Sequence, residues 1–377
     1  MVSSINSIMY NLELLNKKSS KVTYGLSSGE ALEKGSNNST QYAQILSINK
    51  NINTYTSVIE RIQQSNSFNT ASDTAVSNIK SSIESIQSLT LKGLNDTTNS
   101  VDKSSIANEI EDIKEIIFTL VNSNVDNQYL FSGKSTSTKA FEKDEETGKI
   151  TYLASNDNKT INVEEGRYTN QGLNGIELFH YTKQTATAGE NLNFLENELI
   201  YDENGNKYEL LDTDSDGLFD GLFLNADSSN SFFPVVTNTD GTFTISNTGT
   251  LTLESKQSIF DDLDEVINAL KQKDTNGNII SEEEAYEILS SSIEKLDLGF
   301  DAVNISHSKL GTRTSTIENY ESIVQAKLTN LSILEENYSS ADLTKLAIES
   351  QSLENTYTAL YSTINKINNL SLVKYLS

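Results

Sequence analysis

The stretch with the most chemical promise is Asp212-Thr213-Asp214-Ser215-Asp216-Gly217-Leu218-Phe219-Asp220. Its carboxylates fall at the first, third, fifth and ninth places of a loop, with glycine at the sixth. A hard cation such as Ca²⁺ takes six to eight oxygens, and this spacing supplies several of them. Leu218 would add a backbone carbonyl. The twelfth place is Phe223, so the bidentate glutamate of a full calcium loop is missing, and an acid from elsewhere would have to replace it. Two readings stand at this point. Asp212, Asp214, Asp216 and Asp220 hold a structural Ca²⁺, or they form an acidic turn between strands. A second stretch, Asp274-Thr275-Asn276-Gly277-Asn278-Ile279-Ile280-Ser281, lacks glycine at the sixth place and reads as a capped loop before a helix.

Catalytic chemistry has little material. His180 and His307 are the only histidines, and cysteine is absent. Carboxylate pairs abound, but the chain carries a net charge of −25 and such pairs are expected on its solvated surface. No enzymatic activity and no required cofactor are expected. The negative charge also argues against a nucleic-acid partner. No apolar run is long enough to insert in a membrane. The N-terminus lacks a basic leader before an apolar core, so the protein is expected to be cytoplasmic or to leave by a route without a cleaved signal.

The elements that carry these residues follow from hydrophobic periodicity. Leu346, Leu353, Tyr357, Leu360, Ile364 and Ile367, with Ser350 filling one slot, step alternately by three and four along Leu343–Leu370. That is a narrow heptad seam, and it needs a partner helix. Residues 3–33 offer one, with Ile5, Ile8, Met9 and Leu12, broken by a turn at Gly25 and Gly29. Residues 35–41 read as loop. Further seams run from Ile45 to Ile62 and on to Leu94, from Ile106 to Leu120, over 257–273, and from Ile317 to Leu334. Ser281 to Glu284 has capping-box spacing and should start a helix. A single proline, Pro234, leaves long helices uninterrupted.

From about residue 135 the period changes to that of strands. Residues 149–155 and 159–163 read as a hairpin turning at Asn156-Asp157-Asn158. Strand patterns follow at 206–211, 221–226, 232–237, 241–246 and 250–255. Charge divides the same way. Residues 134–254 hold 8 Lys+Arg against 21 Asp+Glu, whereas 1–40 and 341–377 are almost neutral. Neutral, Ser- and Asn-rich ends can pack against copies of themselves, while the acidic middle suits a solvated exterior.

The expected fold is α+β and multidomain. A long antiparallel coiled-coil or helical bundle forms from the N- and C-terminal arms, with a β-rich domain inserted. The expected domains are 1–40 with 340–377, 41–134 with 256–339, and 135–255. The expected interface comprises Ile5, Ile8, Leu12, Leu346, Leu353, Tyr357, Leu360, Ile364, Ile367 and Leu370. Because a narrow seam alone does not offset the entropy of ordering, 1–40 and 340–377 are expected to be disordered in an isolated monomer.

Several motifs resemble the flagellin superfamily, and its hook–filament junction branch most. Leu26-Ser27-Ser28-Gly29 resembles the LSSG after the family's first helix. Asn127 to Gly133, NQYLFSG, resembles the close of its N-terminal helical arm. Residues 149–152 with the 159–163 strand resemble the first hairpin of its middle domain, and Leu370 to Leu376, LSLVKYL, resembles the junction branch's terminus. Asn37-Asn38-Ser39 departs from the Asp-Asp-Pro often found there. The resemblance implies export through the flagellar type III apparatus and assembly outside the cell. It implies terminal helices paired in an inner tube and a β block facing outward. It also implies partners: neighbouring copies, hook-associated protein 1, flagellin and an export chaperone. A short flagellin, or a calcium-dependent surface-binding protein, are the alternatives.

Overall fold

The computed structural model describes residues 2–95, 100–229, 232–274 and 277–376, with the side chains of 2–5, 100, 232 and 367–376 outside the description. The chain divides into two compact units, 1–60 with 321–377, and 61–320. Helix α1 spans Val2–Ser28, and α2 runs without interruption over Ser39–Gly93. Then come α3 (Ser100–Val121) and five short strands: β1 (Asn124–Val125), β2 (Gln128–Tyr129), β3 (Phe141–Lys143), β4 (Ile150–Tyr152) and β5 (Lys159–Glu164). They are followed by β6 (Arg167–Gln171), α4 (Gly175–Phe179), β7 (His180–Ala186), β8 (Asn191–Phe194), β9 (Leu199–Asp202) and β10 (Lys207–Leu211). The remainder is β11 (Gly221–Leu224), β12 (Phe232–Thr237), β13 (Phe243–Ser246), β14 (Leu253–Ser258), α5 (Ile259–Leu270), α6 (Glu282–Ser339) and α7 (Leu343–Leu376). Helical arms thus flank an inserted β-rich block, as the periodicities predict.

Local signals set the helix boundaries. Ser281 Oγ accepts the Glu284 amide at 3.2 Å and starts α6. This helix is one piece of 58 residues. Asn38 Oδ1 accepts the Gln41 amide at 3.2 Å and starts α2, so helix begins inside the stretch read as loop. The break expected at Gly25 and Gly29 lies at one of the two. Gly29, with φ +75°, ends α1, and its amide bonds Gly25 O. Gly25 itself is helical and buried.

In the second unit α2, α3, α5 and α6 share one apolar core. It includes Ile79, Ile83, Ile86, Ile110, Ile117, Leu263, Val266, Leu296 and Val303, all buried. Phe141, Phe179 and Phe260 extend this core beneath the small hairpins, with Phe179 stacked on Phe260 at 4.5 Å between centroids.

The first hairpins pair differently from the sequence expectation. Residues 150–152 pair with β3, and β5 pairs with β6, rather than with each other. The reason lies in the turns. Asp144 Oδ1 accepts the amides of Glu146 and Thr147, and Gly148 sits at φ +72°, which closes β3–β4. Gly166 at φ +73° lies in the two-residue turn between β5 and β6. Asn156 to Asn158 serve another purpose. They pack on the end of the NQYLFSG motif, where Lys134 N bonds Asp157 O and Asn174 Nδ2 bonds Asn156 O. Gly133 lies so close that a Cβ there would meet Ser155 O at 2.3 Å.

Eight strands form one antiparallel sheet in the order β7-β14-β9-β10-β11-β12-β13-β8. Its apolar core is Ala186, Leu192, Phe194, Ile200, Leu222, Phe243, Ile245 and Leu253. The two edges, β7 and β8, are joined by a side chain. Gln184 Nε2 donates to Asn191 O at 3.1 Å, and its Oε1 accepts from Asn193 N at 2.9 Å. The amide imitates one ladder rung and covers edges that would otherwise be open.

Candidate assembly interface and acidic loop

The terminal helices α1 and α7 pair within the first unit. On α7, Leu353 is buried, and Leu346, Tyr357, Leu360 and Ile364 are half-buried. On α1, Ile8, Leu12, Leu15 and Ser19 are half-buried and Val22 is buried. These positions step four, three, four, three, so both helices present the narrow seam that their spacing predicts. The side chains of Ile5, Ile367 and Leu370 lie outside the described residues. The helix continues past Leu370 to Leu376.

Polar contacts fix the register of this pair. Tyr357 Oη donates to Asn16 Oδ1 at 2.6 Å, and Lys18 pairs with Glu349 at 2.9 Å. At the tight end Ala31 N bonds Ser339 O at 2.7 Å and Ala341 N bonds Gly29 O at 2.8 Å. Gly25 permits the close approach, since a Cβ there would lie 2.5 Å from Leu346 Cδ1. Sequence reasoning missed Asn16, Lys18, Glu349 and the packing role of Gly25. The available signal was the position of Gly25, three residues after Val22 on the apolar side of α1.

The pairing leaves much apolar surface unused. Met9 is 64% exposed, Tyr10 63%, Ile348 69% and Tyr361 55%, and Leu14 and Leu343 are also exposed. A two-helix seam therefore satisfies only one stripe of each helix. The remaining apolar side chains are candidates for contact with further helices.

The acidic loop joins β10 to β11. Asp212, Asp214 and Asp216 come together, each offering an oxygen within 4.8 Å of the others. Their carboxylates also hold the loop's own amides. Asp212 accepts from Ser215 N at 2.7 Å and Gly217 N at 2.9 Å, and Asp216 accepts from Leu218 N at 2.8 Å. Left-handed backbone at Ser215 and Gly217 lets the chain coil around them. Asp214 accepts the Asp216 amide, which favours its charged form. The charges of Asp216, Asp220 and Asp212, with slight burial, outweigh this and raise its pKa. Asp220 is not part of the trio. Its Oδ2 accepts the amide and hydroxyl of Thr213, which lowers its pKa. Phe223 pairs within the sheet. The donor set is thus three clustered carboxylates, which suits a hard cation in chemistry but leaves most of its coordination to water.

The two histidines lie in different settings. His180 is buried at the start of β7, where loss of solvation lowers its pKa to about 4. His307 on α6 bonds Asp73 at 2.8 Å.

The architecture is a pair of terminal helices with an inserted β domain. Residues 3–136 match the family model described as the bacterial flagellin N-terminal helical region. The superfamily resemblance read from the motifs of the N-terminal arm is borne out by this match. Two solved structures share the fold. One is the flagellar hook-associated protein 3 of Legionella pneumophila, with TM-score 0.53 and 14% identity, covering 78% of this chain and 98% of that one. The other is a putative flagellar hook-associated protein of Vibrio parahaemolyticus, with TM-score 0.54 and 12% identity, covering 81% and 100%. A search of curated proteins returned no significant match.

Proposed function

We propose that this chain is a structural adaptor of the bacterial flagellum, joining hook-side subunits to the flagellin filament by helix packing. One observation carries the reading. The α1–α7 pair buries a narrow seam and leaves Met9, Tyr10, Leu14, Ile348 and Tyr361 exposed on near-neutral arms. Such helices gain stability when further helices cover them. The hook-associated fold favours the adaptor over bulk filament. The mechanism is complementary packing without covalent chemistry, so no catalytic residue is assigned. The partners are neighbouring copies, a hook-side hook-associated protein, flagellin and an export chaperone that shields the C-terminal seam. The site of action is the extracellular flagellum, reached through the flagellar export apparatus.

Substitution of the exposed stripe tests the packing mechanism. Ile348→Glu and Tyr361→Glu should leave the helical content of the isolated chain unchanged and abolish its incorporation into flagella. Normal incorporation of both variants would contradict it. A second reading concerns the acidic loop. The cluster of Asp212, Asp214 and Asp216 favours a structural Ca²⁺ that tightens the β10–β11 connection.

A further inference from the structure

A cavity of about 350 Å³ opens in the second unit between α2, the β1–β2 turn and the β5–β6 hairpin. Arg61, Ser65, Phe68, Gln128, Lys159 and Gln171 shape it. None of these residues belongs to the terminal seam or the acidic loop. Arg61, Ser65 and Phe68 share one face of α2, and the fold brings Gln128 of β2, Lys159 of β5 and Gln171 of β6 to it.

The cavity has an excess of donors. The Lys159 ammonium is half-buried and donates to Gln128 Oε1 at 2.5 Å, with the Phe68 ring centroid 5.6 Å away. That contact uses the Gln128 oxygen and leaves its NH₂ free to donate. Burial alone lowers the Lys159 pKa, so no carboxylate compensates its lost solvation. Arg61 has no hydrogen-bond or ion-pair partner among the described residues. Ser65 is 1% exposed, and its Oγ has no partner. Asp126, the one acid lining the cavity, is exposed and pairs with neither cation. Elsewhere in this unit cations meet acids, as in Lys114–Asp264, Lys183–Glu198, Lys295–Glu265 and Arg313–Glu177.

The complement of these groups is an acceptor that carries negative charge and has a short apolar stem to lie on Phe68. A carboxylate on a methylene chain has both. The chain itself is the richest source, with 53 Asp+Glu against 28 Lys+Arg. We propose that this cavity receives an Asp or Glu side chain from a second copy of the chain. The inference rests on the assembly reading given above and adds a specific lateral contact to it. Lys159 and Arg61 would neutralise the incoming charge, and Ser65 and Gln128 would complete its hydrogen bonds.

The test uses the full chain, with glutarate as the probe. Calorimetric titration should show saturable binding that weakens roughly tenfold or more in Lys159→Gln, the order of one charged hydrogen bond. Arg61→Gln, at an exposed position, serves as the second variant, and circular dichroism checks that both fold. Sedimentation velocity should show self-association that glutarate inhibits and Lys159→Gln weakens. Absence of saturable binding, or binding by both variants as tight as that of the wild type, overturns the proposal. Glutarate binding with unchanged self-association overturns the second-copy assignment and makes a free carboxylate the ligand. The failures separate. A wild-type chain that never self-associates contradicts the assembly reading too, whereas self-association indifferent to Lys159→Gln contradicts the cavity alone.

Discussion

Gln257 Nε2 donates to Asp262 Oδ1 at 3.2 Å, and the other polar atom of each side chain, Gln257 Oε1 and Asp262 Oδ2, is buried without a partner. Both residues sit where β14 passes into α5. An ionised Asp262 leaves two acceptors and no donor between them. One proton on Asp262 supplies the missing donor. Burial raises the Asp262 pKa to about 7, against the opposing pull of Lys295 and hydrogen bonds from Tyr181 and Gln257, and with a contribution from Glu265.

The sign of the pH dependence follows from that shift. Asp262 ionises at 3.8 when solvated and at about 7 when folded. The stability contributed by its protonated form is fully present below the lower value and is lost as pH rises through the upper one. Asp262→Asn keeps the shape and removes the titration. Between pH 5 and pH 8 the variant should gain roughly 1–3 kcal/mol relative to the wild type. Urea unfolding at both pH values measures it, and a difference independent of pH would contradict the assignment.

Gly133 should tolerate no side chain. It holds φ +58°, and an added Cβ would meet Ser155 O and Asp157 O at 2.3 and 2.4 Å. These are backbone atoms, so the 155–158 turn must move. Gly133→Ala should cost on the order of 3 kcal/mol by denaturant unfolding. A cost below about 1 kcal/mol would show that the turn yields freely.

Arg313 clamps Glu177 with two bonds of 3.0 Å and donates to Gly172 O at 2.6 Å. Burial raises the Glu177 pKa, but the Arg313 hydrogen bonds and charge prevail and lower it. Arg313→Ala should destabilise the second unit by roughly 2–4 kcal/mol, because it strands a mostly buried carboxylate. In a double-mutant cycle with Glu177→Ala the losses should fall short of additive by about 1 kcal/mol or more. Additive losses would refute the clamp.

Calcium offers a direct test of the acidic loop. If Asp212, Asp214 and Asp216 hold the ion, the melting temperature of the full chain rises with calcium over chelator. Asp214→Asn should shrink the rise. Equal melting temperatures in calcium and chelator would leave the loop as an acidic turn held by its own amides.

The terminal arms should exchange amide hydrogens faster than residues 61–320 in an isolated monomer. Among the described residues of α1 and α7, Val22 and Leu353 are the buried apolar side chains, which gives the pair little local stability. Hydrogen exchange read by mass spectrometry checks this. Equal protection of both regions would show that the seam suffices alone.

Much of the fold was legible because periodicity is local. Leu346 through Ile364 announced their seam, and Ser281 its cap. The misread hairpin shows where that stops. Residues 150–152 and 159–163 both look like strands, but turn chemistry at Asp144 and Gly166 chose their partners. Strand β7, His180–Ala186, was missed because its buried face begins with polar His180 and its exposed positions carry no clear alternation. The Arg61–Ser65–Lys159 cavity was invisible for another reason. Arg61 and Ser65 lie on α2 and Lys159 on β5, and only tertiary packing brings the helix and the strand together.

The adaptor role is tested most directly by locating the protein on intact flagella. Antibody labelling under the electron microscope should give a single spot near the hook of each flagellum. Labelling along the whole filament would contradict it and identify the chain as a bulk filament subunit.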